Sequence, residues 1–216
     1  MSAAMTVLKS REEWLTTRKT IGGSDAACIL GKNPWKSNVE LYLEKTGQCT
    51  PDDISNKDVV KYGTEAEKPL RRLFKLDYPD MKVEYRENNL WTNDKYPWAH
   101  ASLDGWLTDK DGRRGILEIK TTNVMSSRQK EQWNEKIPDN YYCQILWYLG
   151  VTEFDFAILK AQLRWVLDGD IYCQTRHYRI ERADVEEDIL YLFDEAYKFM
   201  KCVKERRRPG LILPDI

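Results

Sequence analysis

No run of apolar residues in this chain approaches the ~20 needed to span a bilayer as a helix, so no membrane partner is expected. Neither sign of charge is in excess: 34 Lys and Arg stand against 35 Asp and Glu, for a net charge of −1. That excludes a uniformly basic nucleic-acid binder but leaves room for a local basic patch. Histidine is scarce, and His100 and His177 are not spaced as a zinc pair. The five cysteines, Cys28, Cys49, Cys143, Cys173 and Cys202, are scattered, with no pair at metal-ligand spacing. Zinc and iron–sulfur centres are therefore not expected, and the thiols read as reduced in a cytoplasmic protein. Internal repeats, low-complexity tracts, a signal peptide and a domain linker are all missing. The 216 residues suffice for one compact domain, expected to span 1–216.

What is present centres on Leu117-Glu118-Ile119-Lys120-Thr121-Thr122. On a strand from Arg114, Ile116, Glu118 and Lys120 fall on one face, with Leu117 and Ile119 on the other. A second strand-like run, Trp98 to Leu107, carries Ser102-Leu103-Asp104-Gly105. The turn Asp109-Lys110-Asp111-Gly112 would fold the two runs into a hairpin and bring Asp104 close to Glu118. Two carboxylates and an ammonium would then converge. Oxygen donors of this kind suit Mg²⁺ or Mn²⁺, and Lys120 would orient or activate a water, or steady a phosphate oxygen. The same spacing also suits a surface hairpin with a Glu–Lys pair.

Around this centre the chain reads as follows. Ser10-Arg11-Glu12-Glu13 opens a short helix carrying Trp14, Leu15 and Arg18. After Gly22-Gly23, Ser24 is placed to cap a helix from Asp25 to Leu30. Ser37 caps the next helix, which ends at Gly47. A longer helix runs from about Lys57 to Lys75, with Glu67 at the edge of an apolar stripe and Pro69 expected to kink it or restart it. Met81 to Thr92 reads as one strand. Pro138 opens a helix to Leu149 that puts Tyr141 and Gln144 on one face, which equally suits a capped core stripe. Phe154 to Lys160 and Tyr172 to Ile180 read as strands, and Ala183 to Lys204 as a closing amphipathic helix. The order gives an α/β or α+β sandwich with a mixed central β-sheet flanked by helices.

Five blocks stand in a telling order: Arg18 with Ile21-Gly22-Gly23-Ser24-Asp25, Tyr62-Gly63-Thr64-Glu65-Ala66-Glu67, Ser102-Leu103-Asp104-Gly105, Leu117-Glu118-Ile119-Lys120, and Ile137-Pro138-Asp139-Asn140-Tyr141-Tyr142-Cys143-Gln144. As a set they resemble the YqaJ-like viral recombinase family, relatives of the phage lambda-type exonuclease, over a core of about 14–160. Residues 161–216 match less distinctly. The resemblance implies a restriction-endonuclease-like PD-(D/E)XK fold. It implies metal binding by Asp104, Glu118 and the main-chain carbonyl of Ile119, with two Mg²⁺ ions per site and Mn²⁺ as a substitute. Lys120 would position the attacking water, Glu67 would complete the site, and Tyr141 and Gln144 would line the cleft. Arg18 and Ser24 would hold a 5′-phosphate, provided that Asp25 faces away from it. Leu103 stands where the family often has proline, which removes no ligand.

The activity so implied is 5′-to-3′ digestion of one strand of linear double-stranded DNA, leaving a 3′ overhang for recombination by strand annealing. The implied partners are DNA ends, a single-strand annealing protein and further copies of the chain in a ring-shaped trimer. The implied setting is the bacterial cytoplasm, with a phage or prophage as the source. Two other readings share the fold: a sequence-specific endonuclease, which needs no 5′-phosphate pocket, and a non-catalytic DNA-binding subunit, which need not keep the acids and the lysine.

Overall fold

The computed structural model describes residues 3–17, 19–134 and 136–213. The elements in chain order are β1 (Ala4–Val7), α1 (Arg11–Thr17), α2 (Gly23–Ile29), α3 (Asn38–Lys45), α4 (Asp58–Asp77), β2 (Lys82–Glu84), β3 (Asn89–Thr92), β4 (His100–Ala101) and β5 (Gly105–Thr108). They continue with β6 (Arg114–Asn123), α5 (Ser127–Glu131), α6 (Asp139–Thr152), β7 (Phe156–Leu167), β8 (Asp170–Glu181) and α7 (Glu186–Lys204). Among the described residues the strands form two sheets, one ordered β2-β5-β6-β7-β8 and a smaller one ordered β1-β3-β4. The larger sheet is mixed: β6 and β7 run parallel, with α6 as the crossover, and its other pairs are antiparallel. No described helix is long and apolar enough to cross a membrane.

Side-chain alternation along β6 feeds two cores. Ile116 joins the larger one, built with α2, α6 and α7. Leu117 and Ile119 face the other way and pack with Leu70 and Phe74 of α4 and with Phe156 and Ile158 of β7. Helix α6 is buried from Cys143 to Thr152, as befits a segment that is apolar all round. Close packing admits no side chain at Gly23, where a Cβ would lie 2.3 Å from a ring carbon of Tyr148.

Several sequence expectations are corrected. Met81 to Thr92 is not one strand but β2 and β3, which belong to different sheets and are separated by a turn with Asn88 at φ 56°. Trp98 to Leu107 is likewise split into β4 and β5, and Asp104 lies in the break rather than on a strand. Side chains divert the backbone there: Asn89 accepts from the Leu103 N–H, and Arg71 donates to the Asp104 carbonyl. Helix α4 runs through Pro69 without interruption. Pro69 and Glu65 are both exposed, on the face of the helix where a carbonyl left free by the missing N–H is least costly. The α2 cap is Gly22, whose N–H donates to Asp25 Oδ2 at 3.1 Å, while Ser24 lies inside the first turn. Strands β7 and β8 extend well past Lys160 as a long hairpin, turning at Asp168 and Gly169 with φ of 53° and 88°. All five cysteines are free, as expected.

Candidate active site

The β5–β6 hairpin forms with the expected turn, in which Asp109 accepts from the N–H groups of Asp111 and Arg113 and Gly112 adopts φ 78°. Its register sets Gly105 opposite Leu117 and so places Asp104 beside the start of the Glu118–Lys120 segment. The Ile119 N–H donates to Asp104 Oδ2 at 2.8 Å. On the same face of β6, Lys120 Nζ lies 2.7 Å from Glu118 Oε1. Glu118 is only 2% exposed, and its Oε2 is buried with no hydrogen-bond partner. From α4, Glu67 approaches in an ion pair with Arg71, whose guanidinium also donates to the Asp104 carbonyl.

This gathering of acids is electrostatically costly. Burial and the neighbouring Asp104 raise the Glu118 carboxyl to about 8. The same two causes raise Glu67 to about 7. Burial also raises Asp104, against the pull of Lys120. For Lys120, burial opposes the charge, but the Glu118 and Asp104 carboxylates outweigh it and hold the side chain as an ammonium above its usual range.

A buried carboxylate oxygen without a donor, among acids that raise one another, is an arrangement that a hard cation would stabilise. Among the described residues no three His, Cys, Asp or Glu side chains are grouped to hold an ion by themselves. Asp104, Glu118 and the Ile119 carbonyl are the groups that could hold one here, and an ion on them would need further oxygen donors.

The other expected residues divide. Tyr141 is at the site, with Lys120 Nζ 5.4 Å from its ring centroid. Gln144 is buried, and its Nε2 donates to Tyr148 Oη at 2.7 Å. Burial raises the Tyr148 phenol, and the Glu118 and Asp104 charges add to that shift. Ser24 is exposed. Asp25 is turned away to cap Gly22 and pairs with Lys45 at 2.6 Å, which removes its opposition to a neighbouring anion. Arg18 lies outside the described residues. His100 packs beside Gly22, with Thr20 Oγ1 2.7 Å from its Nδ1, and lines the same cavity as Glu67 and Asp104.

Arg71 and Tyr148 contact the candidate site residues, and sequence reasoning missed both. Each stands four residues after a chosen residue on the same helix, Glu67 and Gln144, and that spacing was the available signal.

The profile of the YqaJ-like viral recombinase domain matches residues 13–155. This chain belongs to the YqaJ-like viral recombinase family. It is similar to the uncharacterized protein YqaJ of Bacillus subtilis (strain 168), at 33% identity over 183 residues that cover 84% of this chain and 53% of that protein. The chain thus spans about half the length of that curated relative. Among solved structures, an alkaline exonuclease from Laribacter hongkongensis superposes with a TM-score of 0.65 at 19% identity, covering 91% of this chain and 94% of the other. A phage-related exonuclease from Haemophilus somnus 129PT gives a TM-score of 0.57 at 12% identity, covering 87% and 96%. These likenesses give the YqaJ-like chain its architecture, the α/β PD-(D/E)XK fold. Glu118 and Lys120 lie on β6, the middle strand of its larger sheet, and Asp104 just before β5.

Proposed function

We propose that this protein is a Mg²⁺-dependent deoxyribonuclease that digests one strand of linear double-stranded DNA from its 5′ end. The observation that carries the reading is the convergence of Asp104, Glu118 and Lys120 on one hairpin, with Glu118 Oε2 buried and unpartnered. Family membership and the exonucleases of the same fold support it. A non-catalytic subunit would not need to bear the cost of these buried acids.

Asp104, Glu118 and the Ile119 carbonyl would hold Mg²⁺ or Mn²⁺, two ions in the full site. Bound there, the metal supplies Lewis-acid stabilisation of charge on the phosphate and favours ionisation of water. The chain's own groups do the rest. Lys120, held as an ammonium by Glu118, acts as a donor: it orients the attacking water and a phosphate oxygen rather than removing a proton. Arg71 fixes Glu67 and the Asp104 backbone, so the acids keep their places as substrate arrives. Water adds to phosphorus, the bond to the leaving 3′-oxygen breaks, and that oxygen takes up a proton.

Tyr141 flanks Lys120, and Gln144 is held by Tyr148. Ser24, with Arg18, is the proposed contact for the terminal 5′-phosphate. The wider reading includes DNA ends as substrate, a single-strand annealing protein as partner, and a ring of three copies. The test digests linear duplex DNA labelled at the 5′ or the 3′ end, with and without Mg²⁺. Release of the 5′ label first, only with Mg²⁺ and faster from a 5′-phosphorylated end, is the expected result. Discrete fragments from circular duplex would instead identify an endonuclease, and no cleavage at all would end the catalytic reading.

A further inference from the structure

The net charge of −1 conceals one strongly basic cleft. It has a volume of about 440 Å³ and lies between α4 and the edge strand β2. Lys68, Arg72 and Lys75 line one wall at helical spacing i, i+4, i+7, and so share one stripe of α4. Arg86, just after β2, faces them. All four are exposed, and none makes an ion pair with any described residue. The acid in the lining, Glu84, is already paired with Lys82 at 3.1 Å. Four like charges held together without counter-ions repel one another, an arrangement that an anionic ligand relieves.

Two features connect this cleft to the catalytic acids. Arg71 lines it and also binds Glu67 and the Asp104 carbonyl. Tyr85 lines it and also lines a second cavity of about 270 Å³ that contains Glu67 and Asp104. The Tyr85 ring lies between the two, 39% exposed, with the Arg71 guanidinium stacked 3.6 Å from its centroid. A cationic groove with an aromatic platform is the pattern that holds unpaired nucleic acid. The cleft has the volume of a small-ligand pocket, roughly 300–1,000 Å³, the scale of a nucleotide or two.

We propose that this cleft binds the phosphodiester backbone of a single DNA strand that continues from the catalytic acids, with a base resting on Tyr85. The proposal rests on the nuclease reading above and adds the path of the unpaired strand. Lys68, Arg72, Lys75 and Arg86 contact successive phosphates.

The test replaces all four together, Lys68→Gln, Arg72→Gln, Lys75→Gln and Arg86→Gln, and confirms the fold by circular dichroism. Exposed polar replacements of this kind leave the core untouched. Binding of a labelled oligothymidine and of a blunt duplex is measured by fluorescence anisotropy in EDTA, across a salt series. Single-strand affinity should fall at least about tenfold, and its salt dependence should flatten by up to about three units of log–log slope, at roughly 0.7 per phosphate contact. The duplex should lose less. An unchanged single-strand slope overturns the proposal, and so does a loss for duplex equal to or larger than that for the single strand. The measurement involves no hydrolysis, so a wild type that binds but fails to cleave with Mg²⁺ counts against the nuclease reading alone.

Discussion

The Ile119 N–H donates to Asp104 Oδ2 across 2.8 Å, so the residue between the acid and the lysine of β6 is anchored by the other acid. The bond ties the two halves of the site across the hairpin. It also holds the backbone at Ile119, the residue whose carbonyl is one of the proposed metal donors. Asp104 therefore has two tasks, and its loss should be felt in both.

Asp104→Ala and Glu118→Ala should each abolish Mg²⁺-dependent nucleotide release while the protein stays folded by circular dichroism. The wild type should be stabilised by Mg²⁺, by about 2.7 kcal/mol at a hundredfold excess over the dissociation constant, and the variants should lose that shift. Thermal unfolding with and without Mg²⁺ reads this directly. A folded variant with near-normal turnover would remove its residue from the metal site.

Lys120→Ala should lower turnover by ~10²–10⁴-fold and leave DNA binding in EDTA nearly unchanged, because a donor to the attacking water acts mainly in the transition state. Single-turnover rates and anisotropy separate the two effects. A variant that fails to bind DNA yet keeps its turnover at saturation would assign Lys120 to substrate binding instead.

Lys160 is 1% exposed on β7, and its Nζ lies 2.6 Å from Asp77 Oδ2 at the end of α4. Removing one partner of a buried pair costs ~3–5 kcal/mol, and the 42% exposure of the Asp77 side chain reduces that. Asp77→Ala should therefore destabilise by about 1–3 kcal/mol in urea unfolding. Adding Lys160→Met should recover most of the loss, since no uncompensated charge remains. A double variant as unstable as the single one would place the cost elsewhere.

His100 supplies a pH dependence. The Thr20 hydroxyl donates to the Thr17 carbonyl at 2.7 Å, so its oxygen accepts from His100 Nδ1–H. Burial, with the nearby Lys45 charge, lowers the imidazole from 6.5 to about 4. The unfolded chain binds this proton first as pH falls. The contribution is complete above about pH 6.5 and is lost as pH drops toward 4, by on the order of 1–3 kcal/mol. The His100→Gln variant should lose less stability than the wild type between pH 7.5 and 5, in buffers of about equal ionic strength. Parallel stability curves for the two proteins would contradict this.

The order of residues alone determined the hairpin and its chemistry. Asp109 and Gly112 specify the turn, and strand alternation forces Glu118 and Lys120 onto one face whatever surrounds them. The Ser37 cap with Glu40 and the Gly47 stop of α3 were legible for the same reason, since a cap or a positive φ is decided by neighbouring residues. Tertiary structure decided what depends on distant partners. Asn89 and Arg71 interrupt the Trp98–Leu107 run at Asp104, and neither is near it in sequence. The split of Met81–Thr92 between two sheets is set by β5 and β1, which claim its two ends. Asp25 turned inward because Lys45, twenty residues on, lies there to receive it. Gln144 donates to Tyr148 one turn on, a pairing that burial favours. The basic cleft is likewise hidden in a chain of nearly balanced charge, because it is α4 packed beside the β2 edge that brings Arg86 opposite Lys68, Arg72 and Lys75.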